Sequence, residues 1–400
     1  MVNPMSYTRS TFSRKLIPIL AVFVILFCFL TVYHQSEALL PYTSYFDLHT
    51  SPKDEFLLEL EKNPNYTDKG FNFQPSNPAK LPCNTKVLHQ LKKLFPYDPT
   101  LPIPKTIWQM WKVGLEHKEF PPDYKKYVQT WEDLNPEYEH LVKTNAECDA
   151  MVAKLYADVP DIIHAYNIMP ETILKCDFSR YLILFAHGGV YADMDTHLLK
   201  PIRHWISHEP SFLDKPLNLG LVVGIESDRE DWQTHCARRV QVNTWTIMAR
   251  KGHPMLAELI NTITQETLHR EESGLLTYML GRDAGDNVIN WTGPGLFTDV
   301  TFRYMNSILQ PDFENYENLI NYKFFINVTL PVTIGDVMVL PEECMHPRNK
   351  SKEGKYVDPM AYVHHLGLGV WKEDKMKLEN PTSKPKSKEN TKAKDKAKES

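Results

Sequence analysis

No C-x-x-C pair occurs among the six cysteines of this 400-residue chain, so a cysteine-ligated zinc site has no ligand frame. Acidic residues are missing from positions 1–15, which carry Arg9, Arg14 and Lys15, and formal charge is missing from Leu16 to Tyr33. That apolar run of about eighteen residues reaches the lower limit for crossing a bilayer. No second such run follows, and no lysine-aspartate-glutamate-leucine retrieval signal closes the chain. An excess of base is also missing from the body. Removing the +3 of residues 1–15 and the +4 of residues 384–400 from the net −5 leaves −12, which argues against nucleic acid as a partner.

The charge asymmetry around Leu16–Tyr33 predicts a single-pass signal anchor with a cytosolic N-terminus and a luminal remainder. The rival is a cleaved signal peptide ending near Ser36-Glu37-Ala38, but the run is longer than the usual apolar core of such peptides. A short span rich in phenylalanine suits thin early-secretory membranes, so a Golgi membrane is expected ahead of the endoplasmic reticulum. The expected organisation is a cytosolic tail (1–15), an anchor (16–33), a stem (34–95), a catalytic body (96–372) and a solvated Lys-rich tail (373–400) too poor in apolar residues to order itself. Five cysteines lie outside the anchor, so at least one stays free or pairs between chains. Sequons begin at Asn65, Asn290, Asn327 and Asn349, with Asn290 expected to stay unmodified beside a site motif.

The chain is organised around Pro170–Pro201, PETILKCDFSRYLILFAHGGVYADMDTHLLKP. Apolar residues at Ile173, Leu174, Phe178, Tyr181, Leu182 and Phe185 mark one buried helix face. Gly188-Gly189 stops the helix, and a short β-prone run, Val190-Tyr191, leads into Asp193-Met194-Asp195. Carboxylates at i and i+2 of an extended segment share a side and repel unless a cation or a proton lies between them. Oxygen ligation favours Mn²⁺ or Mg²⁺, whose remaining sites suit substrate phosphates.

Three further stretches stand out. Ile103–Trp111 is expected to begin the body, with Ile107-Trp108 reading as a short buried strand and Trp108 and Trp111, as large aromatics, suited to the core. Asn290–Gly295 reads as a rigid turn in which Gly293 and Gly295 let backbone amides approach an anion or a sugar. Tyr362–Trp371 carries His364-His365, which a strand would point to opposite faces, so at most one reaches a metal. His253 reads as a loop residue, and 123–170 as alternating helical and loop segments.

Asp177, Arg180, Tyr181, Gly188, Gly189, Tyr191, Asp193, Asp195, Leu199, Lys200 and Pro201 resemble the D-x-x-R-Y…G-G-x-Y-x-D-x-D…L-K-P signature of the DXD-containing glycosyltransferases of family 32. The resemblance implies an α/β GT-A fold, Rossmann-like with a mostly parallel sheet, over residues 96–372. It implies retaining transfer of mannose from GDP-mannose to the high-mannose core of N-linked glycoproteins, through an α-1,6 bond that starts an outer chain, with Mn²⁺ (or Mg²⁺) and with other mannosyltransferases as possible companions. By the same resemblance Asp177 holds donor-sugar hydroxyls, Arg180 meets sugar or phosphate, and Asp195 is the firmest metal ligand. Asp193 meets metal, ribose or both, and Trp108, Tyr191, Gly293, Gly295 and Trp371 surround the donor, with His364 or His365 near the metal. Because no nucleophilic carboxylate is evident opposite the leaving group, the resemblance favours a front-side route in which the departing diphosphate assists the acceptor hydroxyl. Three rivals are weighed: a mannosyltransferase acting on inositol-phosphoceramide, a phosphatase with a D-x-D-x-T nucleophile loop at Asp193–Thr196, and a non-catalytic glycan-binding subunit.

Overall fold

The structure, a computed structural model, describes residues 85–212, 215–277, 285–309, 320–348, 350–351 and 354–368. The anchor, most of the stem, the Lys-rich tail, Trp371, Asn65 and Asn349 lie outside these residues.

Helix α1 (Lys86–Leu94) is capped by Thr85, whose hydroxyl accepts the Leu88 N–H, and it buries Val87, Leu88 and Leu91. It falls within the span expected as stem, yet it packs on helix α6 (Pro254–Glu272), so ordered structure precedes the first strand. In chain order follow β1 (Thr106–Trp111), α2 (Pro122–Leu134), β2 (Glu139–Thr144), α3 (Asn145–Leu155), α4 (Pro160–Ile168), α5 (Thr172–His187), β3 (Gly189–Ala192) and β4 (Thr196–Leu198). A small ribbon of β5 (Ser211–Phe212) and β6 (Lys215–Pro216) precedes β7 (Leu221–Asp228), β8 (Val240–Val242), β9 (Thr246–Ala249) and α6. The chain continues with α7 (Gly285–Trp291), α8 (Pro294–Leu309), β10 (Val332–Ile334), β11 (Val337–Leu340), α9 (Glu342–Met345) and β12 (Val363–His365).

The central sheet runs β10-β11-β7-β9-β3-β1-β2, with β8 paired to β7. Strands β2, β1, β3, β7 and β11 share one direction, while β9 and β10 run against them. The fold is therefore mixed α/β with a mostly parallel sheet. Strands β3, β9 and β11 are buried on both faces, as helical layers on both sides require. Edge strand β2 escaped the sequence reading because its Glu139-His140-Leu141-Val142-Lys143-Thr144 is half-exposed and carries no clean alternation. Because most strands point the same way, their C-terminal ends gather at one rim, where a ligand site is expected.

The break between α5 and β3 is steric as well as conformational. Gly188 (φ 72°) and Gly189 (φ 105°) both take backbone that side chains resist. A Cβ at Gly189 would stand 2.5 Å from the Thr106 carbonyl oxygen. Gly189→Ala is expected to cost at least about 1–3 kcal/mol of strain, visible as a lowered thermal midpoint; a midpoint equal to that of the parent would refute this account of the glycine pair.

At the opposite rim a buried polar network ties four segments together. Asp336 accepts from Tyr97 Oη (2.5 Å) and Tyr304 Oη (3.1 Å) and pairs with His253 Nε2 (3.1 Å), while Arg250 Nη1 donates to Tyr97 Oη. His253 is thus no plain loop residue: it is fully buried, and its Nδ1 accepts the Met255 N–H to cap α6.

Candidate active site

The Asp193-Met194-Asp195 loop leaves the end of β3 held by its backbone. Asp193 N–H donates to the Trp245 carbonyl (2.8 Å), and the Asp193 carbonyl accepts from Thr196 Oγ1 (2.5 Å) and Gln109 Nε2 (3.3 Å). Met194 is buried against Phe120, Tyr124 and Val128. Met194 is anchored inward, and the Thr196 N–H donates to the Asp193 carbonyl (3.2 Å), so a tight turn, and not the extended segment expected from the sequence, brings the two neighbouring carboxylates together.

What they turn toward is His365. Strand β12 pairs antiparallel with β4, setting His365 opposite Thr196. Ligand atoms of Asp193, Asp195 and His365 all fall within 4.8 Å of one another. His365 Nε2 lies 3.3 Å from Asp195 Oδ1, and its ring stacks on the Trp245 indole at 4.5 Å. Leu366 N–H donates to the Asp195 carbonyl and Leu368 N–H to Asp195 Oδ2, both at 3.0 Å. His364 faces away, packing near Tyr356 and His346, and burial, with the charges of His346, Lys350 and His197 nearby, pushes its pKa down to about 4. Of the two histidines, His365 joins the carboxylates.

Charge in this cluster is frustrated. Burial pushes the Asp193 carboxyl up, Arg180 opposes that, and Asp195 adds to it. Asp195 is held below its usual range because its bonds from His365 and Leu368 together outweigh its burial. Two carboxylates and an imidazole nitrogen at this spacing fit a divalent cation.

Behind the cluster sits the Asp177–Arg180 pair of α5. Both residues are only 5% exposed, which excludes the helix-surface ion pair that i,i+3 spacing permits. Arg180 Nη2 donates to Asp177 Oδ1 (2.6 Å), Nη1 donates to the Thr244 carbonyl (2.8 Å) and also stands 3.4 Å from Asp193 Oδ1. The guanidinium lies 4.9 Å over the Tyr191 ring, whose hydroxyl donates to Asp193 Oδ1 at 2.7 Å. Thr292 Oγ1 donates to Asp177 Oδ2 at 3.0 Å, and Tyr181 Oη donates to the Thr292 carbonyl at 2.9 Å. Arg180 Nε is buried and has no partner. An orphaned guanidinium N–H beside the carboxylates is what an incoming phosphate or sugar oxygen would satisfy.

The other expected residues divide. Tyr191 belongs to the site. Trp108 is a core residue: it is buried, its indole N–H donates to the Gly188 carbonyl at 3.0 Å, and its ring meets His187. Trp111, three residues on, is the partly exposed aromatic of β1. Gly293 and Gly295 do not form an open turn, because α7 ends at Trp291 and α8 starts at Pro294, and neither glycine takes positive φ. The Gly293 N–H is spent on the Val288 carbonyl, and a Cβ at Gly293 or Gly295 would come within 2.9 or 2.7 Å of α7. Their smallness permits a tight helix junction that delivers Thr292 to Asp177. The Thr244 carbonyl and Thr292 escaped the sequence reading; a backbone acceptor has no sequence signal, and a lone threonine beside G-P-G gives a weak one. The Asn290 carboxamide oxygen accepts from Arg238 Nη1 at 3.0 Å, while Asn327 stands exposed with φ 55°. Cys148, Cys176, Cys236 and Cys344 are free thiols.

A family model described as the glycosyltransferase sugar-binding region containing DXD motif matches residues 121–212, which span α2 through the Asp193–Asp195 loop. A Candida albicans protein named initiation-specific alpha-1,6-mannosyltransferase is 47% identical over 365 residues, covering 89% of this chain and 95% of its own. The chain belongs to this glycosyltransferase family. It is accordingly an enzyme that transfers a sugar. The Saccharomyces cerevisiae protein of the same name is 34% identical, covering 71% of this chain and 81% of its own. An inositol phosphoceramide mannosyltransferase 3 of Schizosaccharomyces pombe is 32% identical over only 26% of this chain.

Proposed function

We propose that this glycosyltransferase, on a GT-A fold, moves mannose from GDP-mannose to the high-mannose core of N-linked glycans with retention, making the α-1,6 bond that starts an outer chain. The observation that carries the reading is the juxtaposition of Asp193, Asp195 and His365 with the buried Arg180–Asp177 pair, whose Nε lacks a partner. A cavity of about 240 Å³ lined by Met110, Asn145, Asp149, Tyr166, Lys175 and Cys176 lies along helix α5, which carries Asp177 and Arg180. The full-length likeness to proteins named for α-1,6 transfer favours the glycan acceptor over inositol-phosphoceramide, whose enzyme matches only a quarter of the chain. In this reading the enzyme is a single-pass Golgi membrane protein with its body in the lumen, near other mannosyltransferases.

Asp193, Asp195 and His365 would hold Mn²⁺, which supplies charge neutralisation for a diphosphate leaving group. The protein's own part follows from the fixed donors. Arg180 presents an N–H to the developing oxyanion, held in place beforehand by Asp177, Thr244 and Asp193, so little reorganisation accompanies the reaction. Asp177 keeps a second lone pair on each oxygen for sugar hydroxyls. The phosphatase reading loses its threonine: Thr196 Oγ1 donates to the Asp193 carbonyl and accepts from Trp131 Nε1.

The test is a panel of sugar nucleotides offered to the purified full chain with a high-mannose N-glycan. GDP-mannose alone is expected to give product, linked α-1,6, with activity lost on chelation and restored by Mn²⁺. Undiminished activity after exhaustive chelation, or a product with another linkage, would overturn the proposal.

A further inference from the structure

Glu226 is a third carboxylate at the same rim, and no motif announces it. It sits at the C-terminal end of β7, where the pairing with β8 slips between Ile225 and Ser227. A bulge of this kind re-aims a side chain. Gln241 Nε2 donates to Glu226 Oε2 at 2.8 Å, and Gln241 is itself fixed because its Oε1 accepts the Ala237 N–H at 2.9 Å. Glu226 Oε1 has no partner and remains accessible. Burial pushes the carboxyl up, the Gln241 bond and His365 oppose this, and Asp193 adds to it, so Glu226 lies within electrostatic reach of the metal-binding group. It is not a member of that group.

Position decides what such a carboxylate can do. A nucleophile for double displacement must stand opposite the leaving group. Strands β7 and β3 both pair antiparallel with β9, so Glu226 leaves the same rim as Asp193, the rim at which a metal-bound diphosphate would be held. Retention also brings the acceptor hydroxyl in from that side. We propose that Glu226 is the catalytic residue that receives the acceptor hydroxyl of the sugar chain, with Gln241 as its positioning residue. The inference rests on the mannosyltransferase reading. The acceptor O–H donates to Glu226 Oε1. As the acceptor oxygen bonds to the anomeric carbon, the bond from that carbon to the diphosphate breaks and its electron pair leaves with the diphosphate. The hydroxyl proton passes to the Glu226 carboxylate, which releases it to water after the product departs. The proton thus has a destination on the protein, where the family pattern suggested only the diphosphate.

The experiment compares the full chain with its Glu226→Gln and Gln241→Ala variants on two acceptors: a mannoside, and its analogue with a thiol at the attacking carbon. A thiol ionises near pH 8.5 and needs little help from a base. Glu226→Gln is expected to keep its thermal midpoint and its affinity for GDP with Mn²⁺, to lose about 10²–10⁴-fold in transfer to the hydroxyl acceptor, and to recover most of that loss with the thiol. Gln241→Ala is expected to show a smaller loss with the same recovery. Hydroxyl transfer by Glu226→Gln within about threefold of the parent, or equal losses on both acceptors, would overturn the assignment. A parent chain inert with GDP-mannose would instead sink the mannosyltransferase reading itself.

Discussion

Asp195→Ala is expected to abolish transfer while leaving the protein folded. Asp195 supplies one of three ligand atoms, and removing it leaves Asp193 and His365, too few to hold a divalent cation firmly. If the cation contributes several kcal/mol of charge stabilisation, its loss corresponds to a fall of about 10³-fold or more in kcat/KM. The structural cost is small by comparison. The carboxylate is partly exposed, and it gives up a bond from Leu368 N–H and its pairing with His365. Bonds of this kind contribute about 1 kcal/mol each, and the same deletion relieves repulsion on Asp193. Activity, Mn²⁺ binding by electron paramagnetic resonance and the thermal midpoint should therefore separate cleanly. Loss of secretion or of the folded state in Asp195→Ala would show that the loop is structural; retained Mn²⁺ affinity would show that the ligand set is wrong.

Arg180→Lys is expected to be nearly as damaging as Arg180→Ala. The guanidinium serves Asp177, the Thr244 carbonyl and Asp193 from two nitrogens at 2.6, 2.8 and 3.4 Å, while its Nε remains for substrate. An ammonium offers one point of charge and cannot span acceptors on α5, the β8–β9 loop and the DXD loop together. Either variant leaves Asp177 and Asp193 under-compensated in a buried site, which costs about 3–5 kcal/mol of stability. Activity per folded molecule should fall by about 10²–10³-fold, as when a preorganised oxyanion donor is removed. The double variant Arg180→Met with Asp177→Asn discriminates stability from chemistry, because removing both charges of a buried pair is often close to neutral. It is expected to recover much of the midpoint and none of the transfer. Near-parental activity in Arg180→Lys would reduce the pair to a structural tie.

A single stretch made most of this site legible. The spacing from Ile173 to Phe185 announces helix α5, Gly188-Gly189 announces its end, and Asp193 and Asp195 follow at a strand end, because local backbone rules act within a few residues, although a turn and not period-2 geometry brings the two carboxylates together. Asp177 and Arg180 fall on one helix face for the same reason. The alternation of His364 and His365 likewise follows from the strand alone.

Tertiary structure settled the rest, since each remaining feature depends on which segment lies opposite. Register between β12 and β4 chose His365 over His364. Burial under β3 and the β8–β9 loop turned a spacing that permits a surface ion pair into a buried, three-way tie through the Thr244 carbonyl, an acceptor common to every residue and hence invisible in sequence. Close approach of α7 and α8 converted G-P-G from an open anion turn into a helix junction, because smallness serves packing as readily as it serves positive φ. Trp108 joined the core because β1 lies between two parallel neighbours, leaving the aromatic three residues later nearer the rim. Glu226 reached the site through a bulge in strand pairing, and pairing is a property of two strands that neither sequence states alone.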